Sequence, residues 1–158
     1  MPSIWYFVAA LIPMVVGSVW YGPLFGKTWM KTNGFTEESL KGGNMLVILG
    51  LSYILSILLA FFLGQFTIHQ AMLPGLAVGS TDPQLGLDIT AFMDKWGGIH
   101  RTWSHGAVHG GLAAIAVALP LIAINALFER RGGKYIGIHF GYWFVTLLLM
   151  GALICATV

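Results

Sequence analysis

Charged residues are missing from four long stretches of this chain. Residues 1–26, 42–81, 102–128 and 135–158 contain no Asp, Glu, Lys or Arg. A helix rises about 1.5 Å per residue, so roughly 20 apolar residues cross the ~30 Å hydrocarbon core of a bilayer. Each stretch is long enough for one crossing. Lipid offers no hydrogen-bond partners, so a crossing segment must satisfy its own backbone, as a helix does. The pattern predicts an all-α protein, a four-transmembrane-helix bundle forming one integral membrane domain over 1–158. The spans fall at about 4–25, 45–67, 105–128 and 136–156. His69, Gln70, Pro74 and Gly75 interrupt the second stretch, which therefore reads as one span and a partly apolar tail. Residues 70–81 either lie outside the membrane or re-enter it. The first stretch lacks a basic leading segment and a small-residue cleavage site, so it reads as a retained helix rather than a signal peptide. Pro13 is its expected kink.

Composition agrees with this frame and removes the other classes. Hydrophobic residues make up 57% of the 158 and charged residues 9%, where a soluble domain carries roughly 25% charged residues. A net charge of +2 is too small for a phosphate-binding surface, so no nucleic-acid partner is expected. The one cysteine, Cys155, excludes an internal disulfide and any CxxC motif. The lipid bilayer is the partner that composition requires.

Orientation follows from the basic residues. The first and third connections carry six, Lys27, Lys31, Lys41, Arg130, Arg131 and Lys134, and the second carries two, Lys95 and Arg101. The expected topology places the first and third connections in the cytoplasm and both termini outside it. In the outer connection Ile89, Phe92, Met93 and Trp96 follow i, i+3, i+4, i+7 spacing. They predict a short interfacial helix, capped by Asp88 and ended by Gly97-Gly98. Thr36 followed by Glu37 and Glu38 predicts another helix start.

Helices in lipid meet at small residues. Ser52, Ser56, Ala60 and Gly64 form one stripe, Gly106, Gly110, Ala114 and Ala118 a second, and Gly137 and Gly141 a GxxxG pair. They suit packing within the bundle or a homo-oligomer built through small-residue helix faces.

Two polar groups carry the candidate chemistry. His105 and His109 form HxxxH, which places both imidazoles on one helical face. His69 ends the neighbouring span at the same depth, and His100 arrives on the connection. This set suits a transition metal ion such as zinc, copper or nickel, with His69, His100, Asp82 or Asp88 completing the ligands. His69 and His109 are also the one pair placed to hold a haem. Alternatively, these histidines are polar interface side chains. At the inner end, Tyr21, Lys27, Asn125, Glu129, Arg130, Arg131 and His139 gather near the ends of spans one, three and four. They read as a hydrogen-bonded clasp or as a site for an anionic ligand or lipid head group. No HExxH, GxSxG or Walker pattern occurs.

Trp20-Tyr21-Gly22-Pro23-Leu24-Phe25-Gly26-Lys27 resembles the opening signature of the bacterial domain of unknown function 1761 family. Leu127-Phe128-Glu129-Arg130-Arg131, Gly141-Tyr142-Trp143 and Leu149-Met150-Gly151-Ala152 extend the match over nearly the whole chain. His105-Gly106-Ala107-Val108-His109-Gly110 resembles a longer-looped branch of that family. The resemblance implies a small four-span bacterial membrane protein, expected in the bacterial cytoplasmic (inner) membrane, and implies no activity. The function expected from the residues is a non-enzymatic membrane component that binds a small ligand, lipid or metal. The alternatives are a metal-dependent membrane enzyme using the outer histidines, and an oligomeric small channel or transporter.

Overall fold

The computed structural model describes residues 3–158, and among these every regular element is helical. Four helices are long and apolar enough to cross a membrane: α1 (Ile4–Leu24), α4 (Met45–Thr67), α6 (Trp103–Phe128) and α7 (Gly133–Thr157). Their bounds lie within three residues of those the charge-free stretches predict. Three shorter helices, α2 (Gly26–Asn33), α3 (Glu37–Leu40) and α5 (Pro83–Trp96), lie in the connections. A 3-10 segment, His69–Ala77, continues from the end of α4.

α1 is interrupted at Ala10–Leu11, and the helix resumes at Ile12 with Pro13 in its first turn. Proline has no N–H, and its ring crowds the carbonyl four residues earlier, here that of Ala9. Ala9 and Ala10 are both fully buried, so the break lies inside the bundle. A second irregularity follows at Trp20–Leu24, a π turn around Gly22 and Pro23. α2 was not anticipated from the sequence. It carries Trp29, which packs at a tilt against Tyr21 and edge to face against Phe35.

α7 is the central helix. Thr146, Leu147, Met150, Gly151, Ile154 and Cys155 along it are buried. α6 lies against it with backbones touching. A Cβ added at Gly106 would collide with the Gly151 carbonyl, and one at Gly110 with the Leu147 carbonyl. The Ser56–Ala60–Gly64 stripe of α4 is buried too, with Gly64 against the Tyr6 ring. The small-residue stripes of α4 and α6 therefore pack within the chain. The GxxxG expectation on α7 is corrected. Gly137 is exposed with nothing within 4 Å, Gly141 receives the Trp20 indole, and the close approach is made at Gly151.

The interfacial helix also differs in its cap. Asp82, not Asp88, closes its start, accepting from the Gln84 N–H at 2.9 Å. Pro83 follows it at the first helical position, where the missing N–H does no harm. Asp88 lies within the helix, accepting from Gln84 Nε2 at 2.8 Å. Gly97 ends the helix as expected. Thr36 caps α3 reciprocally with Ser39.

Candidate functional site

α6 turns two chemistries to two faces. Gly106 and Gly110 press against α7, while His105 and His109, each one residue earlier and so about 100° away, face the end of α4. His69 stands there, two residues beyond the last residue of that helix. Antiparallel packing thus brings His69 to two imidazoles that lie 36 and 40 residues further along the chain. His69 is exposed; His105 and His109 are half-buried.

One ligating nitrogen from each of the three lies within 4.8 Å of the others. The closest pair, His105 Nε2 and His69 Nε2, is 3.1 Å apart and hydrogen-bonded. Tetrahedral zinc, with zinc–nitrogen bonds of about 2.0–2.1 Å, sets its ligand nitrogens roughly 3.3 Å apart. The pair is therefore already spaced for one ion. The His69 and His109 rings are edge to face with centroids 4.7 Å apart, which leaves no gap for a porphyrin plane between them. The haem expectation is corrected on that ground. His109 also packs edge-on against Phe66.

His100 joins from the connection. Its ring stacks on His105 with centroids 5.0 Å apart and 17° between planes. It meets His69 edge to face at 6.4 Å. Asp82 and Asp88, named as alternative ligands, are engaged within α5 and are not in the group of ligating atoms. The sequence reading missed the supporting residues. Buried Gln70 donates to Ile99 O at 3.0 Å and to Trp96 O at 3.3 Å. Arg101 Nε donates to Cys155 O at 2.9 Å. The Cys155 thiol is 3.3 Å from His100 O. Gln70 and Arg101 each adjoin a clustered histidine, and that adjacency was the available signal.

The inner end is assembled differently. Tyr21 Oη and His139 Nδ1 form a hydrogen bond at 3.0 Å between α1 and α7. Trp20 Nε1 donates to Ile138 O at 3.0 Å, and Tyr142 Oη donates to Pro13 O at 3.0 Å. Arg131 donates to Thr32 O at 3.1 Å, lies over the Tyr135 ring and stands 3.6 Å from Glu129. Tyr21, His139 and Arg131 thus join helices as expected, but Lys27, Asn125, Glu129 and Arg130 are exposed. Asn125 has no side-chain hydrogen bond among the described residues. The small stripe of α6 continues inward through Ile122 and buried Ala126. Asn125, one position before Ala126, is turned about 100° outward. Trp20, Trp29, Tyr135 and Tyr142 fill the place of the missing polar members.

Four apolar helices, a polar cluster at each end and an amphipathic helix in one connection define a small multi-pass membrane protein. The chain belongs to the family described as Protein of unknown function (DUF1761), whose model matches residues 4–155. This agrees with the resemblance carried by the Trp20–Lys27 string. No curated protein and no solved structure matches the chain.

Proposed function

We propose that this protein binds a transition metal ion, with zinc the first candidate, at the end of the bundle formed by His69, His105 and His109. Its role is binding rather than reaction chemistry. It resides in the bacterial cytoplasmic membrane with this end and both termini outside the cytoplasm. One observation carries the reading. Three imidazoles, one just beyond the end of α4 and two a turn apart on α6, present one nitrogen each within 4.8 Å of one another.

The test is metal analysis of the full chain purified in detergent, followed by thermal unfolding with added zinc, copper, nickel or iron. Bound metal or a metal-dependent rise in melting temperature is expected, and the His105→Ala, His109→Ala double variant abolishes it. His139→Ala, at the other end, does not. Wild-type protein with none of the four metals and no thermal response to any of them overturns the reading. The orientation is tested by cysteine labelling in intact cells after replacing Cys155. A cysteine at Gln84 should react with an impermeant thiol reagent, and one at Thr36 should not. The reverse pattern overturns the topology.

A further inference from the structure

We propose that His100 is the fourth ligand of this centre, supplied by the connection rather than by a span. Metal binding then fastens the amphipathic helix α5 to the bundle. The inference rests on the reading of His69, His105 and His109 as metal ligands, and it adds the residue that closes the site.

The position of the His100 ring carries the argument: it is stacked on His105 and meets His69 edge to face. The φ of His100 is +62°, in the left-handed region that glycine enters freely and that strains a residue with a Cβ. Gly97 and Gly98 stand just before it, yet neither is at the left-handed position. The turn keeps an imidazole where glycine would relax it. The molecule contains a comparison. Arg130, the other non-glycine residue with positive φ among those described, has φ +56°. It follows α6 directly, and the Arg131 N–H reaches back to Ala126 O at 2.7 Å, an ordinary left-handed helix ending. His100 is beyond the end of α5, whose cap is Gly97, so helix termination does not account for it. His100 is instead the third residue of a turn closed by the Arg101 N–H on Gly98 O at 3.4 Å, a position that accepts a left-handed residue, and the turn places an imidazole there.

The turn is held from three directions. Gln70, next to His69, grips Ile99 O; Arg101 is tied to Cys155 O; the Cys155 thiol meets His100 O. These contacts fix the His100 backbone above the trio, with its ring already stacked on His105. Zinc bound by three imidazoles has one tetrahedral corner left. Asp82 and Asp88 are engaged elsewhere, so the donor offered to that corner is His100. His100 stands outside the group formed by the nitrogens of the other three, so its side chain must turn toward them to ligate.

The experiment uses the full chain in detergent with cobalt(II) as an optical probe, since its visible absorption distinguishes a tetrahedral ion from a higher-coordinate one. The informative variant is His100→Asn, because asparagine tolerates positive φ while removing the imidazole. Wild type should give the intense tetrahedral spectrum. His100→Asn should still bind cobalt, at least ~10-fold more weakly, with the weaker absorption of a solvent-completed site. Zinc should slow proteolysis within Pro83–Trp96 in the wild type and not in His100→Asn. Equal affinity, spectrum and protection in the two proteins would overturn the role of His100 while leaving the three-histidine site standing. Absence of cobalt and zinc binding by the wild type would overturn both. His100→Gly separates ligation from turn geometry: it should bind as weakly as His100→Asn, and wild-type affinity in it would sink the proposal.

Discussion

The two ends of the bundle solve opposite problems with similar material. At the inner end each polar group that joins helices meets an unlike partner: a phenol meets an imidazole, an indole N–H meets a carbonyl, a guanidinium meets a carbonyl and an aromatic face. Such pairing satisfies groups that are expensive to bury unpaired. At the outer end four copies of one side chain converge, sharing a single hydrogen bond among their rings. Protonated imidazoles in such a group repel one another, and a neutral pair makes one hydrogen bond, donor to acceptor. Heterotypic pairing clasps the inner end; the outer end gathers one kind of side chain, the arrangement that the proposed metal site requires.

The largest expected effect concerns the wall that both ends share. Gly110→Leu pushes a side chain into the Leu147 backbone and should destabilise the protein by on the order of 3 kcal/mol. Metal response should vanish with the fold, as read by thermal unfolding in detergent. Gly137→Leu, in open space on α7, should change stability by less than about 0.5 kcal/mol. Comparable losses in the two would mean that α7 packs through its GxxxG face after all.

The next prediction sharpens the outer end. His105→Ala with His109→Ala should leave metal-free stability within about 1 kcal/mol of wild type, since the rings are at most half-buried. The stabilisation by metal, about 2.7 kcal/mol at a concentration 100 times Kd, should be lost. Metal binds neutral imidazole, so protons compete with it. The wild-type metal response should weaken between about pH 8 and about pH 5. A response that strengthens toward acid would show that the histidines are not the ligands.

A smaller change isolates the inner end. Tyr21→Phe removes the partner of His139 Nδ1 and should lower stability by about 1 kcal/mol, leaving the metal response intact. Loss of metal binding in this variant would show the two ends to be coupled. The smallest effect is expected at Asn125→Leu, an exposed position, with a change under about 0.5 kcal/mol. A larger loss would return Asn125 to the clasp.

The spans were legible because bilayer thickness and the exclusion of charge act on composition alone, without reference to neighbours. The histidine trio was legible because HxxxH fixes a face and the end of the adjacent span fixes a depth. The clasp was only partly so. Asn125 and Glu129 share a face, but the phase of that face relative to α7 is set upstream by Gly106 and Gly110. Polar spacing does not carry that information. α2 escaped notice because Trp29 gives it a reason to pack only once Tyr21 is in place. The support of His100 by Gln70 and Arg101 was hidden for the same reason: both act on backbone carbonyls, which every residue has.

The dependence of the outer cluster on α7 has a consequence for synthesis. All four histidines lie before Gly133, so a growing chain displays every one of them before its last span is made. The wall that receives Gly106 and Gly110, and the Cys155 carbonyl that anchors Arg101, come afterwards. A nascent chain with three spans inserted has the ligands without the scaffold that sets their spacing. The histidine cluster is therefore a product of completed insertion, set in place only when the final helix has entered the membrane.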